Sequence, residues 1–257
     1  MRAADDAGAR LGGAAVAAVT QTYAAAETVE DALAALANGA RPVAGGTDLV
    51  VGARQGKAPL PDSIVAIHRL AELRGVERDG DALRLGALTT HEEIAEEALV
   101  LERLTALVDA AAIVGSHATR AQGTVGGNLM NASPAMEIGG PLICFGATVT
   151  LRSQGGERTI AVADLFAGPG KTTAEPGELL TEVTVPLPPE TTGSCYARLE
   201  YRQQMEIAVV GTTAVVTPDG KTVIAGGQDS VLRVWDGTNG KLLASFPPPE
   251  AAPDHTP

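Results

Sequence analysis

The chain has 257 residues, with 31 acids against 19 lysines and arginines, a formal net charge of −12 that excludes the basic stripe a nucleic-acid surface needs. Hydrophobic residues make up 45% but aromatics only 3%, so the core rests on Leu, Val, Ile and Ala, and 30 glycines point to many tight turns. No apolar run reaches the roughly 20 residues of a membrane helix and no signal peptide is evident, so a cytoplasmic protein is expected.

Residues 1–20 read as a poorly specified leader, and the first firm element is expected at Thr28. Thr28-Val29-Glu30-Asp31 has the form of a capping box, in which a threonine oxygen and an acid three residues on satisfy otherwise orphaned amides. Val29, Ala32, Leu33, Leu36 and Ala37 follow at helical spacing, and Asn38-Gly39 supplies a left-handed stop. Pro42-Val43-Ala44 predicts a short strand entering Gly45-Gly46, with a helix over Asp48 to Gln55 behind it. Strands are predicted at Ser63 to Ile67 and Leu83 to Leu88, the second from its alternation. Thr90-His91-Glu92-Glu93 is a second capping box, and leucines 101, 104 and 107 predict a helix continuing from Leu101 to Val114. Ala147 to Arg152 and Arg158 to Val162 predict a hairpin across Gln154-Gly155-Gly156-Glu157, and Leu179 to Val185 a further strand closed by prolines. Helices and strands mix without regular βαβ alternation, which favours an α+β fold.

Two glycine turns stand out, Ala44-Gly45-Gly46-Thr47-Asp48 and Thr124-Val125-Gly126-Gly127-Asn128. Lacking Cβ, glycine lets backbone amides approach a phosphate and takes φ > 0, forming an anion-binding nest. Either pair taken alone is better read as a plain strand-to-helix turn. Other phosphate and metal motifs fail. Neither turn spells G-x-G-x-x-G; Gly170-Lys171-Thr172 ends like a Walker A loop but has Leu165 at the leading glycine position. His91-Glu92 opens like a zincin with Ala95 where the second histidine belongs, and the four histidines, His68, His91, His117 and His255, are scattered, so no metal site is expected. Cys144 and Cys195 have no ligand spacing and are expected to be small buried hydrophobes.

The chain resembles the FAD-binding (medium) subunit of molybdenum hydroxylases, the group of carbon monoxide dehydrogenase and xanthine dehydrogenase. The resemblance rests on Arg41 to Leu49, Leu83 to His91, Gly123 to Pro134, Gly168 to Thr172 and Met205 to Gly211, in family order over residues 23–216. It implies a two-lobed FAD-binding domain of the molybdopterin dehydrogenase/vanillyl-alcohol oxidase-like type with a short C-terminal β segment. Its expected parts are a first lobe over 21–75, a second over 76–188 and the start of a third domain over 189–216. By motif, Val43, Ala44, Gly45, Gly46, Thr47, Asp48, Leu49 and Val50 would wrap the pyrophosphate and adenosine side. Thr124, Gly126, Gly127 and Asn128 would supply further phosphate and ribityl contacts. Glu137, where the family has aspartate, would lie near the flavin, and Val114 and Leu180 would be apolar contacts around the ring. Arg198 falls where relatives carry lysine; a plain surface arginine is the alternative. The resemblance implies no catalytic acid or base here. It implies an electron-transfer subunit taking electrons from the [2Fe–2S] clusters of a small subunit, beside a molybdenum-cofactor large subunit, and passing them to NAD or another acceptor. Two cysteines are too few for a four-cysteine cluster in this chain.

After Val216 the resemblance stops, which implies a truncated third domain, an uncovered flavin edge and weakened FAD retention. Residues 217–246 instead resemble a single WD40 repeat with Trp235-Asp236 as its signature, between a Pro218-Asp219-Gly220 and a Thr238-Asn239-Gly240 turn. One blade cannot bury its own faces. Two readings stand: a hairpin replacing third-domain strands, or a fusion or remnant whose WD40-like tail is a protein-interaction element with little flavin activity. Residues 247–257 read as a disordered tail.

Overall fold

The computed structural model describes residues 22–202, 205, 207–217, 223–226, 232–235 and 239–246; the expected leader, the Pro218-Asp219-Gly220 turn, His255 and the tail from Pro247 lie outside them. The first element comes earlier than the sequence suggests. β1 (Thr22–Ala25) is exposed along its whole length, so no apolar pattern marks it. It is recruited by parallel pairing with β3 (Ser63–Ala66), whose other edge takes β2 (Arg41–Val43). Between β1 and β2 runs α1 (Val29–Ala37), with Val29, Ala32, Leu33 and Leu36 buried. Its capping box is complete: Thr28 Oγ1 accepts from Asp31 N–H and the Asp31 carboxylate from Thr28 N–H, both at 3.1 Å. Gly39, at φ +84°, ends it. These residues pack with Val65, Ile67, Leu70 and Leu73 into the first of two cores.

The second lobe is a five-stranded antiparallel sheet in the order β4 (Val76–Asp79), β5 (Ala82–Gly86), β10 (Leu179–Pro186), β6 (Thr148–Ser153), β7 (Gly156–Ala161). The hairpin of β6 and β7 forms as its sequence predicts, with Ser153 paired to Gly156, so its loop is tighter than the four residues expected. Leu83, Leu85, Val149, Leu151, Val183 and Val185 turn inward onto α3 (His91–Glu96), α4 (Ala98–Arg103) and α5 (Thr105–Ala112). The single helix expected over Leu101 to Val114 is broken at Leu104, whose φ −130° and ψ 49° are not helical. Leu104 is fully buried at the break and Leu101 is turned 47% to solvent, because the kink removes it from the face shared by 104 and 107. The second capping box holds α3: Glu93 N–H donates to Thr90 Oγ1 at 3.1 Å and Thr90 N–H to the Glu93 carboxylate at 2.7 Å. Thr90→Ala removes the side-chain half of this box and should destabilise the fold by about 1 kcal/mol, read as a lower denaturant midpoint at unchanged slope.

A third sheet is an antiparallel meander of β11 (Gly193–Leu199), β12 (Val210–Val216), β13 (Val223–Gly226), β14 (Leu232–Trp235) and β15 (Leu242–Phe246). Val216 pairs with Val223 and Val223 with Trp235, so the strands of the WD40-like segment continue the sheet that β11 and β12 begin. The open edge of β11 is covered by α5. Thr105 Oγ1 donates to the Ser194 carbonyl at 2.6 Å, Ala106 N–H to Ser194 Oγ at 3.0 Å and Tyr196 N–H to the Asp109 carboxylate at 3.1 Å. This alternation puts Ser194 and Tyr196 inward and leaves Cys195 exposed, against the expectation of a buried cysteine. Cys144, on α8 (Gly139–Cys144), is buried as expected, and burial pushes its thiol up to about 12.

Candidate functional site

The first glycine turn leaves the C-terminal end of β2, the end of a parallel sheet where α/β folds place ligands. Its two glycines are needed for different reasons. Gly46 sits at φ +69°, with the Val43 and Val50 side chains bracketing it. Gly45 is needed for contact: a Cβ there would stand 1.8 Å from the Gln122 carbonyl oxygen. The first turn therefore touches, backbone to backbone, the Gln122-Gly123 segment that leads into the second, about eighty residues on in sequence. Among the described residues the N–H groups of Gly45, Gly46, Thr47 and Asp48 donate to no protein acceptor. Backbone donors left open on a left-handed turn are the chemistry of an anion nest. Asp48 opens α2 (Leu49–Arg54) without a side-chain capping bond, and desolvation by the protein around it raises its carboxyl.

The second turn is built otherwise than its sequence suggests. Gly126 and Gly127 are not a nest but the first turn of α7 (Val125–Asn131), capped by Thr124 Oγ1, which accepts from Gly127 N–H at 3.1 Å. The donors are already engaged, Val125 N–H to the Thr89 carbonyl and Gly126 N–H to the Ala87 carbonyl, each at 2.9 Å. Gly126 is demanded by packing, since a Cβ would lie 2.8 Å from the Ala87 Cβ and carbonyl oxygen. Asn128 keeps a buried Oδ1 without a hydrogen-bond partner among the described residues. At the far end of α7, the Ala132 carbonyl accepts from Gly170 N–H at 2.9 Å, so the Gly170-Lys171-Thr172 segment braces this helix and is no phosphate loop.

His91, the first residue of α3, lies 1% exposed beneath the second turn. Its backbone N–H donates to the Gly123 carbonyl at 3.1 Å, and a Cβ on Gly123 would stand 3.2 Å from its ring. Burial, reinforced by the Arg120 charge, pushes its pKa down to about 4, and its Nδ1 has no partner. The folded pKa is below the unfolded value near 6.5, so this stabilisation is complete above about pH 6.5 and is lost as pH falls toward 4. Acidification should therefore weaken the protein by roughly 3 kcal/mol across that window, and His91→Phe should flatten that part of a stability-against-pH profile.

Arg198 is buried at 3% side-chain exposure, which sets aside the surface-arginine alternative. It bridges the third sheet to the second lobe: Nη1 donates to Glu137 Oε1 at 3.0 Å and to the Ile113 carbonyl at 3.2 Å, and Nε to Glu200 at 2.5 Å. Burial raises the Glu137 carboxyl, Arg198 pulls it back, and the charge of Asp48 adds a little to the rise. Tyr196, beside it, is pushed up to about 12 by burial and then by the Glu137 charge. Glu200 and the buried Thr213 did not stand out in the sequence; polar residues at 194, 196, 198 and 200 on the inward face of one strand were the available signal. Val114 and Leu180, at 8% and 3% exposure, are both part of the second core. Among the described residues no group of His, Cys, Asp and Glu is arranged to hold a metal, and no helix is long and apolar enough to cross a membrane.

Open backbone amides on a left-handed turn, a contact too close for any side chain, and an orphaned buried carboxamide oxygen fit a phosphate-bearing ligand that also carries hydroxyls. Comparison with known proteins agrees. Residues 17–188 match the family described as FAD binding domain in molybdopterin dehydrogenase. The chain is 32% identical over 229 residues to the 6-hydroxypseudooxynicotine dehydrogenase complex subunit alpha of Paenarthrobacter nicotinovorans, covering 84% of this chain and 76% of that one. It is 30% identical over 224 residues to the carbon monoxide dehydrogenase medium chain of Afipia carboxidovorans, with 84% and 77% covered. Among solved structures, reconstituted CO dehydrogenase from Oligotropha carboxidovorans superposes with a TM-score of 0.75 at 26% identity, over 86% of this chain and 76% of that chain. The carbon monoxide dehydrogenase of Hydrogenophaga pseudoflava gives the same TM-score of 0.75, 26% identity and coverage of 86% and 76%. The chain thus belongs to the family of FAD-binding domains of molybdopterin dehydrogenases, an FAD-dependent oxidoreductase subunit.

Proposed function

We propose that this chain is the subunit that holds FAD in an electron path running from the [2Fe–2S] clusters of a small partner subunit, beside a molybdenum-cofactor large subunit, to NAD or another acceptor. Bound FAD supplies the redox chemistry; the chain's residues hold it, orient it and shield it. The observation that carries the reading is the first glycine turn, with open amides at Gly45 to Asp48 pressed against Gln122. In this reading those amides take the pyrophosphate, and Ala44, Leu49 and the Val43 and Val50 side chains line the adenosine side. The second turn contributes less by amide donation than by close approach of Gly126 and Gly127, by Thr124, which fixes the helix start, and by Asn128, whose buried oxygen suits a ribityl hydroxyl. Glu137 and Arg198 lie toward the isoalloxazine, and Val114 and Leu180 form the packed layer behind it. The first lobe (21–75) and second lobe (76–188) carry the cradle, and β11 brings Arg198 to its edge, leaving the flavin less covered than a full third domain would.

No residue of this chain is assigned a proton transfer on the molybdenum-site substrate. The electron path is tested by mixing the FAD-loaded chain with a chemically reduced [2Fe–2S] partner subunit. Bleaching of the flavin absorbance as the partner reoxidises is expected; a partner that stays reduced beside an oxidised flavin contradicts the path.

A further inference from the structure

The cluster around Arg198 carries one more acid than the arginine needs. The guanidinium of Arg198 has Glu200 on its Nε edge and Glu137 on Nη1, while Nη2 is buried with no acceptor among the described residues. A buried guanidinium requires a counter-charge, but one carboxylate already balances it, and each further buried acid is unfavourable unless something offsets it. Glu137 and Glu200 are 9% and 23% exposed, so neither is simply a solvated surface acid. An unpartnered charged donor at 3% exposure is a strong demand for an acceptor, since leaving it unmet is expensive. The clamp is tied toward the nucleotide turn by geometry: Arg198 Nη1 donates to the Ile113 carbonyl, the adjacent Val114 carbonyl accepts from Arg120, and Gln122, two residues after Arg120, is the residue that meets Gly45. Thr213, on β12 opposite Tyr196, adds a buried hydroxyl with no partner among the described residues.

We infer that Glu200 is a positioning residue: with Glu137 it grips Arg198 from two sides so that Nη2 donates to the bound FAD, and the surplus negative charge of this clamp holds the flavin at a lower reduction potential than a lone Arg–Glu pair would. The inference rests on the FAD-holding role proposed above and assigns Glu200 to it. The physical basis is that electrons added to the flavin are disfavoured by a nearby uncompensated carboxylate in a poorly solvated site.

The test uses the full chain and its Glu200→Gln, Glu137→Gln and Arg198→Lys variants, with Glu178→Gln, which faces Arg158 elsewhere, as the control. FAD affinity is read by titration, the flavin midpoint potential by dye equilibration, and folding by the thermal midpoint. Glutamine keeps an oxygen for the guanidinium while removing the charge, so Glu200→Gln and Glu137→Gln should each shift the potential positive with FAD affinity held within several-fold. Arg198→Lys loses the fork and its Nη2 donor and should weaken FAD binding roughly ten- to hundredfold. The control should change neither. An unshifted potential in whichever glutamine variants fold overturns the inference, since a merely structural acid would leave the potential alone. A folded wild-type chain that takes up no FAD overturns the underlying reading instead.

Discussion

Gly45→Ala is expected to abolish FAD binding while Gly52→Ala leaves it intact. The Cβ of an alanine at 45 would fall 1.8 Å from the Gln122 carbonyl oxygen and 2.6 Å from its carbon, and both are backbone atoms that no rotamer change can move. Either the first turn or the segment before α7 must shift, and overpacking of this kind typically costs about 1–3 kcal/mol in stability. The loss of function should be larger than the loss of stability. The open amides of Gly45 to Asp48 are useful only where the turn holds them, and a displacement of about an ångström removes their convergence on one anion. Gly52 meets nothing within 4 Å, lies in α2 and shows no positive φ, so alanine there removes only glycine's backbone freedom and should be neutral or slightly stabilising. Titrating both variants with FAD alongside thermal unfolding separates the two effects. Equal FAD affinity in the two would mean that the contact between the first turn and Gln122 has no part in holding the nucleotide.

Arg198→Met is expected to be the most destabilising single change among the charged residues, by about 3–5 kcal/mol. The loss comes from what is left behind. Glu137, at 9% exposure, would keep its desolvation and lose the guanidinium that pulls its pKa back, and the Ile113 carbonyl would lose a donor. The carboxyl would then titrate higher still, so the variant should regain part of its stability as pH falls and Glu137 becomes neutral, a trend opposite to that set by His91. Pairing the change with Glu137→Leu removes the orphaned charge and should recover much of the loss, because exchanging a buried ion pair for apolar groups is often close to neutral. Chemical denaturation of the single and double variants measures this directly. A single variant as stable as the wild type would show that the bridge between β11 and the second lobe carries no net stabilisation.

What the sequence made legible was local. Thr28 with Asp31 and Thr90 with Glu93 announce their helices because a capping box is complete within four residues, and Ser153 to Gly156 announces its hairpin for the same reason. β1 escaped notice because its exposed residues carry no pattern; its place is decided by β3, some forty residues on. The break at Leu104 escaped because leucine spacing counts positions along an unbroken helix and cannot register a kink. At the site, the glycine pairs were visible but their difference was not. Whether an amide is open or spent depends on Ala87 and Thr89, which meet the second turn and not the first. Arg198 is the clearest case of long-range meaning. In sequence it is one cation on an alternating strand; its burial follows from Glu137, 61 residues away, and from α5, which covers the strand edge.

In this reading one FAD is held where the first glycine turn meets the Gln122-Gly123 segment leading into the second. The most direct measurement is a titration of the purified full chain with FAD, read by quenching of flavin fluorescence, in wild type and in Gly45→Ala. Saturable binding of one FAD per chain that disappears in a folded Gly45→Ala is the expected result. A folded wild-type chain that leaves FAD free in solution, or a Gly45→Ala chain that binds it equally well, contradicts the claim.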